Sequence, residues 1–411
     1  MDIHVLWAFV VCFSAVMYTI FDGFDLGVGI LIPFVRKEGQ RDTMVESITP
    51  IWDGNETWLI LMGVGLFGGF PRAYSVLLPA LYIPLILMLL SLILRGVAME
   101  FRFMSATRKT SWDMAFALGS ILAAFCQGII LGNLMEGFKL DKNFNHVNTD
   151  FGFANPFTIL IGLSLIVTYS LIGTTWLNLK TTGLLQKRFK TYARRIIFLL
   201  ALLFVVIIWG RFNWSIFTPR YGVFGIRGIF SAASIIWYVL TLTLMAGIYL
   251  TINSNRERIS FFLNMLMTVV SALYIVSGLW PYIIPPDLTI FDAGSPAYGN
   301  RILLVSSFIV IPVILSYLLY SYSVFKGKVN GKDYEPVLGT KDLALEQVKL
   351  NDNKGLLLKQ VTLSWPWRIV ISIAGILFFF LVLGFEGDIV AQLSILIFII
   401  AFLVACFRYK N

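Results

Sequence analysis

The residues of this 411-residue chain best suited to chemistry gather in three short stretches. Asp22 and Asp25 lie in Phe21-Asp22-Gly23-Phe24-Asp25-Leu26-Gly27-Val28-Gly29, and Asp53 and Glu56 lie in Trp52-Asp53-Gly54-Asn55-Glu56-Thr57-Trp58. The third stretch holds Arg95, Glu100 and Arg102, at the end of another apolar run. A spacing of three residues puts two side chains on one face of a helix. Ionisable groups inside apolar segments are costly, so a cluster of them is a candidate for function. Carboxylates in a low-dielectric site can hold protons and relay them through water, and the two arginines can balance their charge. The same residues would also suit an ion-pair network that does no more than lock three helices together.

The segments that carry these residues belong to a membrane protein. Hydrophobic residues make up 58% of the chain and charged residues 13%, about half the charged fraction of a soluble domain, and the mean hydropathy is +0.82. Windows of roughly 19 residues predict spans near 6–34, 48–70, 74–98, 113–136, 157–179, 194–213, 228–252, 261–284, 302–325, 367–385 and 389–408. The expected fold is an all-α polytopic membrane protein of about eleven transmembrane spans. Phe70-Pro71-Arg72 reads as a tight turn between the second and third, and Trp280-Pro281 with Pro285-Pro286 as a helix stop bearing an interfacial aromatic.

Of the 32 basic residues, 25 fall on the side of the odd-numbered loops and 7 on the other. The positive-inside rule then predicts an N-terminus outside and a C-terminus in the cytoplasm. Both acid pairs fall in the cytoplasmic half of antiparallel spans. The net charge of +9 comes from short loops and forms no stripe, which argues against nucleic acid as a partner. The acidic start, Met-Asp-Ile-His, argues against a cleaved leader, so the first helix is expected to be retained.

Several chemistries find no support. Cys12, Cys126 and Cys406 are far apart in apolar runs, so neither a disulfide framework nor a CxxC metal site is expected. The two histidines, His4 and His146, fall in the N-terminal stub and an outer loop, so no bis-histidine haem site can form within the helices. No P-loop, GxSxG or HExxH occurs. Gly23, Gly27 and Gly29 read as a small-residue packing seam and not as a phosphate cradle.

These stretches resemble subunit II of the cytochrome bd-type quinol oxidases. The resemblance rests on Asp22 to Gly29, on Trp52 to Ile60 with the trailing Leu66-Phe67-Gly68-Gly69-Phe70-Pro71, and on Arg95-Gly96-Val97-Ala98-Met99-Glu100-Phe101-Arg102. Trp280 to Pro286, Leu288 to Pro296 and Tyr322 to Lys328 add to it. It implies a respiratory complex that oxidises quinol and reduces dioxygen to water. Haems b and d and the quinol site would belong to a partner, subunit I, and no cofactor would be bound by this chain alone. It implies a fold of nine helices per subunit, eight of them as two four-helix bundles with peripheral helices, in a bacterial or archaeal cell membrane. Proton transfer would fall on Asp25 and Asp53, supported by Asp22, Trp52, Glu56, Arg95, Glu100 and Arg102. In some members a quinone is bound in this subunit.

The chain divides into a family-like membrane body at 1–328, a cytoplasmic linker at 329–366 with a short amphipathic helix around Leu343–Leu350, and a two-helix extension at 367–411. The extension departs from the family pattern and suits a lipid-facing cover or a contact for a small accessory membrane subunit. Two rival readings are a proton-coupled secondary transporter, which would favour broken helices and internal repeats, and a purely structural membrane partner.

Overall fold

The computed structural model describes residues 2–329 except 106, 139, 142–150, 214–231, 253 and 255. His146, most of the linker, and the two spans expected at 367–385 and 389–408 lie outside the described residues.

Helix α1 (Ile3–Leu31) is capped by the Asp2 carboxylate, which accepts from the His4 backbone N–H at 2.8 Å. It ends in a 3-10 turn over Ile32–Phe34, where Pro33 cannot donate a hydrogen bond. Helix α2 (Glu38–Glu46) buries Met44 and Val45. Helices α3 (Trp52–Gly69), α4 (Pro71–Ala80), α5 (Tyr82–Met104) and α6 (Lys109–Glu136) follow. Helix α7 (Pro156–Lys180) begins with a capping box in which Asn155 and Thr158 satisfy each other's backbone N–H groups. Helices α8 (Gly183–Asn213), α9 (Ala232–Thr251) and α10 (Glu257–Leu279) lead to a two-stranded antiparallel ribbon, β1 (Tyr282–Ile284) and β2 (Leu288–Thr289). A one-turn helix α11 (Ile290–Ala293) and helix α12 (Ala297–Val324) complete the described chain.

Eight of these helices are long and apolar enough to cross a membrane, and the bent pair α3 and α4 would make a ninth. Over the described residues, the chain is an all-α polytopic membrane protein apart from the small ribbon. The third expected span, 74–98, is not one helix. The chain breaks at Leu81, with Pro79 and Pro84 on either side, each of which removes a backbone donor. Helix α4 instead pairs with α3 across a 118° bend at Phe70-Pro71. The eighth expected span stops at Leu279, where Trp280-Pro281 ends the helix and 282–284 turns into strand.

Helix α1 is the axis of the body, and α3, α6, α7 and α10 all pack against it. The glycine seam explains how closely. A Cβ on Gly27 would lie 2.0 Å from the Tyr169 carbonyl oxygen of α7, and one on Gly29 would lie 2.0 Å from the Ser120 hydroxyl of α6. Gly173 faces Gly27 from α7, so the two backbones touch. Beside this contact Phe24 stacks on Trp176 with centroids 4.2 Å apart. Helix α6 makes a similar approach to α5, because a Cβ on Gly119 would lie 3.0 Å from the Arg95 backbone nitrogen. The seams therefore fix the depth at which the ionisable residues of α1 and α5 meet.

At the opposite end, α1 is tied to the start of α12. The Trp7 indole N–H donates to the Asn300 carbonyl at 3.0 Å, and the Asn300 amide lies 3.2 Å from His4 Nδ1. Ser295 fastens the bend of α3 and α4, with its hydroxyl on the Gly68 carbonyl at 2.6 Å and its N–H on that of Gly69 at 2.9 Å.

Candidate functional site

Two buried charged clusters lie along α5. Arg95 and Arg102 are seven residues apart, two helical turns, so they share a face, and both are fully buried. Glu100, five residues beyond Arg95, turns to another face and is exposed. It belongs to neither cluster.

The inner cluster joins α1, α3 and α5. Arg95 Nη1 meets Asp22 Oδ1 at 2.5 Å, and its Nη2 pairs with Glu56 Oε1. The guanidinium lies 5.9 Å from the ring centroid of Trp52, a cation–π distance. Gly96 gives the indole its space, since a Cβ there would lie 3.2 Å from the Trp52 ring. Asp25, one turn beyond Asp22, takes no cation. Its Oδ2 accepts from the Asn55 amide at 2.8 Å, while its Oδ1 is buried without a hydrogen-bond partner, as is Oδ2 of Asp22. Of the residues expected from sequence, Asp22, Asp25, Trp52, Glu56 and Arg95 are thus brought together. Asp53 is not part of this buried group: it sits exposed in the first turn of α3, within electrostatic reach of Glu56.

The outer cluster is built around Arg102. Its Nε meets Asp113 Oδ1 at 2.6 Å and its Nη1 meets Asp42 Oδ1 at 2.7 Å. Arg41 Nε pairs with Asp113 Oδ2 at 2.7 Å, and Lys109 reaches Glu38 at 3.4 Å and Asp42 at 3.6 Å. Three cations face three anions, so this cluster balances. The inner one does not: among the described residues a single guanidinium contacts a group holding three carboxylates. Buried charge without a partner is expensive, so the inner cluster needs at least one bound proton to approach neutrality. The outer one needs none.

Sequence reasoning missed Asn55, Asp42, Asp113, Arg41 and Lys109. Asn55 sits within Trp52–Trp58 but does not titrate, so a search for ionisable groups does not single it out. Asp113, one polar residue at the start of an apolar run, was the available signal for the outer cluster. A second omission lies one turn before Asp22, where the Tyr18 hydroxyl accepts from the Gln127 amide of α6 at 2.8 Å. The carbonyl of Gln127 accepts in turn from Tyr169 of α7 at 2.7 Å.

Among the described residues, no group of three or more His, Cys, Asp or Glu side chains is placed to hold a metal ion. His4 lies at the first turn of α1 beside Asn300, away from both clusters. Cys12 and Cys126 are free thiols.

The chain has relatives across bacteria. It is 27% identical over 352 residues to the cytochrome bd ubiquinol oxidase subunit 2 of Bacillus subtilis, covering 81% of this chain and 98% of that one. It is 26% identical over 366 residues to a probable cytochrome oxidase subunit 2 of Haemophilus influenzae, covering 79% and 94%. The fold matches a chain in the structure of the bd oxidase from Geobacillus thermodenitrificans with a TM-score of 0.62 at 11% identity, over 79% of this chain and 97% of that one. The family profile described as cytochrome bd terminal oxidase subunit II matches residues 3–325, and with its motifs in order along the same span, the chain belongs to that family.

Proposed function

We propose that this chain is the scaffold subunit of a bd-type quinol oxidase and supplies a proton path from the cytoplasm towards haems b and d carried by subunit I. The observation that carries the reading is the charge imbalance of the inner cluster. Asp22 and Glu56 are both held by Arg95, whereas Asp25 has a neutral amide on one oxygen and nothing on the other. Asp25 is therefore the acid that carries the proton. Glu56, a quarter exposed at its side chain, interacts electrostatically with both Asp25 and the exposed Asp53. We assign Asp53 to the mouth of the path, Glu56 to its throat and Asp25 to its inner end.

The reaction of the complex consumes four protons for each dioxygen reduced to two waters. Taking them from the cytoplasm while quinol releases its own outside stores energy without a separate pump. This reading includes the cytoplasmic orientation of the C-terminus, the division at 1–328, 329–366 and 367–411, and eleven spans arranged as two four-helix bundles with peripheral helices. It leaves quinol oxidation and dioxygen binding to subunit I. A bound quinone follows from the resemblance alone and a small accessory subunit from the two-helix extension alone, and no residue of this chain is assigned to them.

The test is replacement of Asp25 or Asp53 by Asn in the whole complex. Asn keeps the volume and hydrogen-bonding capacity and loses the titratable group. Each variant should keep its haems yet lose turnover by about a hundredfold or more, and Glu should restore part of it. Normal turnover with normal haem in both variants and in the double variant would refute the path. Loss of haem without loss of turnover per haem would support a purely structural role.

A further inference from the structure

The geometry points to Tyr18 as a positioning residue: with its oxygen filled by the Gln127 amide, which Tyr169 orients, its hydroxyl proton is left to serve the unfilled Oδ2 of Asp22, keeping Asp22 the ionised partner of Arg95 and leaving the mobile proton to Asp25. The inference rests on the reading of Asp25 as the proton carrier and adds residues from α6 and α7 to it.

The direction follows from the chemistry of the acceptor. Asp22 paired with Arg95 is a carboxylate, which can only accept, and its Oδ2 is buried without a hydrogen-bond partner. Tyr18 lies four residues earlier on the same face of α1, and both side chains are buried. Its hydroxyl proton therefore turns towards Asp22, and its oxygen must accept from elsewhere. The Gln127 amide nitrogen supplies that bond at 2.8 Å. This fixes the side-chain amide so that its carbonyl faces Tyr169, which donates at 2.7 Å. All three side chains are buried, with Tyr169 1%, Tyr18 4% and Gln127 9% exposed, so water does not set the orientation. Gly23 contributes on the α1 side, since a Cβ there would lie 3.0 Å from the Tyr169 ring.

The ionisable groups facing the site are Tyr18, Asp22 and Asp25 from α1, Glu56 from α3, Arg95 from α5 and Tyr169 from α7. Within this set, Arg95 and Tyr18 both stabilise negative charge on Asp22, and neither contacts Asp25. Two adjacent carboxyls that could share a proton are thereby made unequal. Without the tyrosine the proton would divide between them, and its transfer through Asp25 would slow.

The decisive measurement is the infrared carboxylic-acid C=O stretch of the assembled, haem-loaded complex in Tyr18→Phe, Asp22→Asn and Asp25→Asn backgrounds, read together with turnover per haem. Phe keeps the ring and removes only the hydroxyl. In the wild-type background the band should vanish in Asp25→Asn and persist in Asp22→Asn. In the Tyr18→Phe background part of it should become sensitive to Asp22→Asn, with turnover per haem lowered about tenfold, as expected for loss of one hydrogen bond to a charged group. If Asp25→Asn leaves the band in the wild-type background, both the proton-carrier reading and this inference fall. If Asp25→Asn removes it but Tyr18→Phe changes neither the band nor turnover per haem, only the inference falls. Should Tyr18→Phe fail to assemble with haem, Tyr169→Phe, which removes the donor at the far end of the hydrogen-bond chain, serves as the second variant: it should redistribute the band, and an unchanged band and turnover per haem there would overturn the inference.

Discussion

Replacing Arg95 by Gln removes the guanidinium that contacts both Asp22 and Glu56, fully buried where α1, α3 and α5 meet. Taking one partner from a buried ion pair costs about 3–5 kcal/mol, because the other charge stays in low dielectric without compensation. At about 1.4 kcal/mol per factor of ten, the assembled state loses roughly a hundredfold to a few-thousandfold. A typical protein holds only about 5–15 kcal/mol in total, so the complex should assemble poorly. The same arithmetic predicts rescue. In the triple variant Asp22→Asn, Glu56→Gln, Arg95→Gln the acids are neutral as well, and exchanging a whole buried pair for uncharged groups of similar shape is close to neutral. Haem per milligram of complex captured through a tag on this subunit is the assay. Arg95→Gln should fall below about a tenth of the wild-type value, and the triple variant should regain most of it. Wild-type haem and thermal stability in Arg95→Gln would refute the claim that Arg95 neutralises this cluster. Failure of the triple variant would place the loss in packing against Trp52.

The outer cluster should behave differently: Arg102→Met combined with Asp113→Asn is expected to lower the thermal midpoint of the complex while turnover per haem stays within about twofold, since this network carries no spare proton. Gly27→Ala puts a methyl 2.0 Å from the Tyr169 carbonyl and should abolish assembly, whereas Gly39→Ala, with nothing within 4 Å, should leave haem content unchanged. The subunit expressed alone should enter the membrane without stoichiometric haem, which a pyridine haemochrome assay would measure. A cysteine at Asn330 should resist an impermeant thiol reagent in whole cells and react after lysis, and labelling of intact cells would reverse the proposed orientation.

Much of the site could be read from spacing. Asp22 and Asp25 do share a face of α1, and the long apolar runs located most of the helices that carry the clusters. Spacing says which side chains face together, however, and not which way they face. Asp53 and Glu56 have the same three-residue interval, yet Glu56 turns to Arg95 while Asp53 is exposed. Arg102 was seen, but its partners were not, because Asp42 lies on a nine-residue helix that no hydropathy window detects and Asp113 lies on α6. The bend after Gly69 was signalled by Phe70-Pro71, but the break at Leu81 was hidden by the apolar residues around Pro79 and Pro84. The chain from Tyr169 to Tyr18 joins residues on three helices through neutral groups, which charge-based reading passes over.

The seven-residue interval between Arg95 and Arg102 makes α5 a ruler. Two turns span about 10.5 Å of helix axis, and at that separation two unit charges interact by roughly 1.6 kcal/mol at an effective dielectric constant of about 20. The outer cluster includes groups that water reaches: the side chain of Glu38 is 54% exposed and that of Lys109 26%. A change of charge at that surface would reach the buried carboxyls through the field, weakened by the screening that water and salt add. The helix acts as a spacer, and its length sets how strongly charge at the outer cluster biases the inner one.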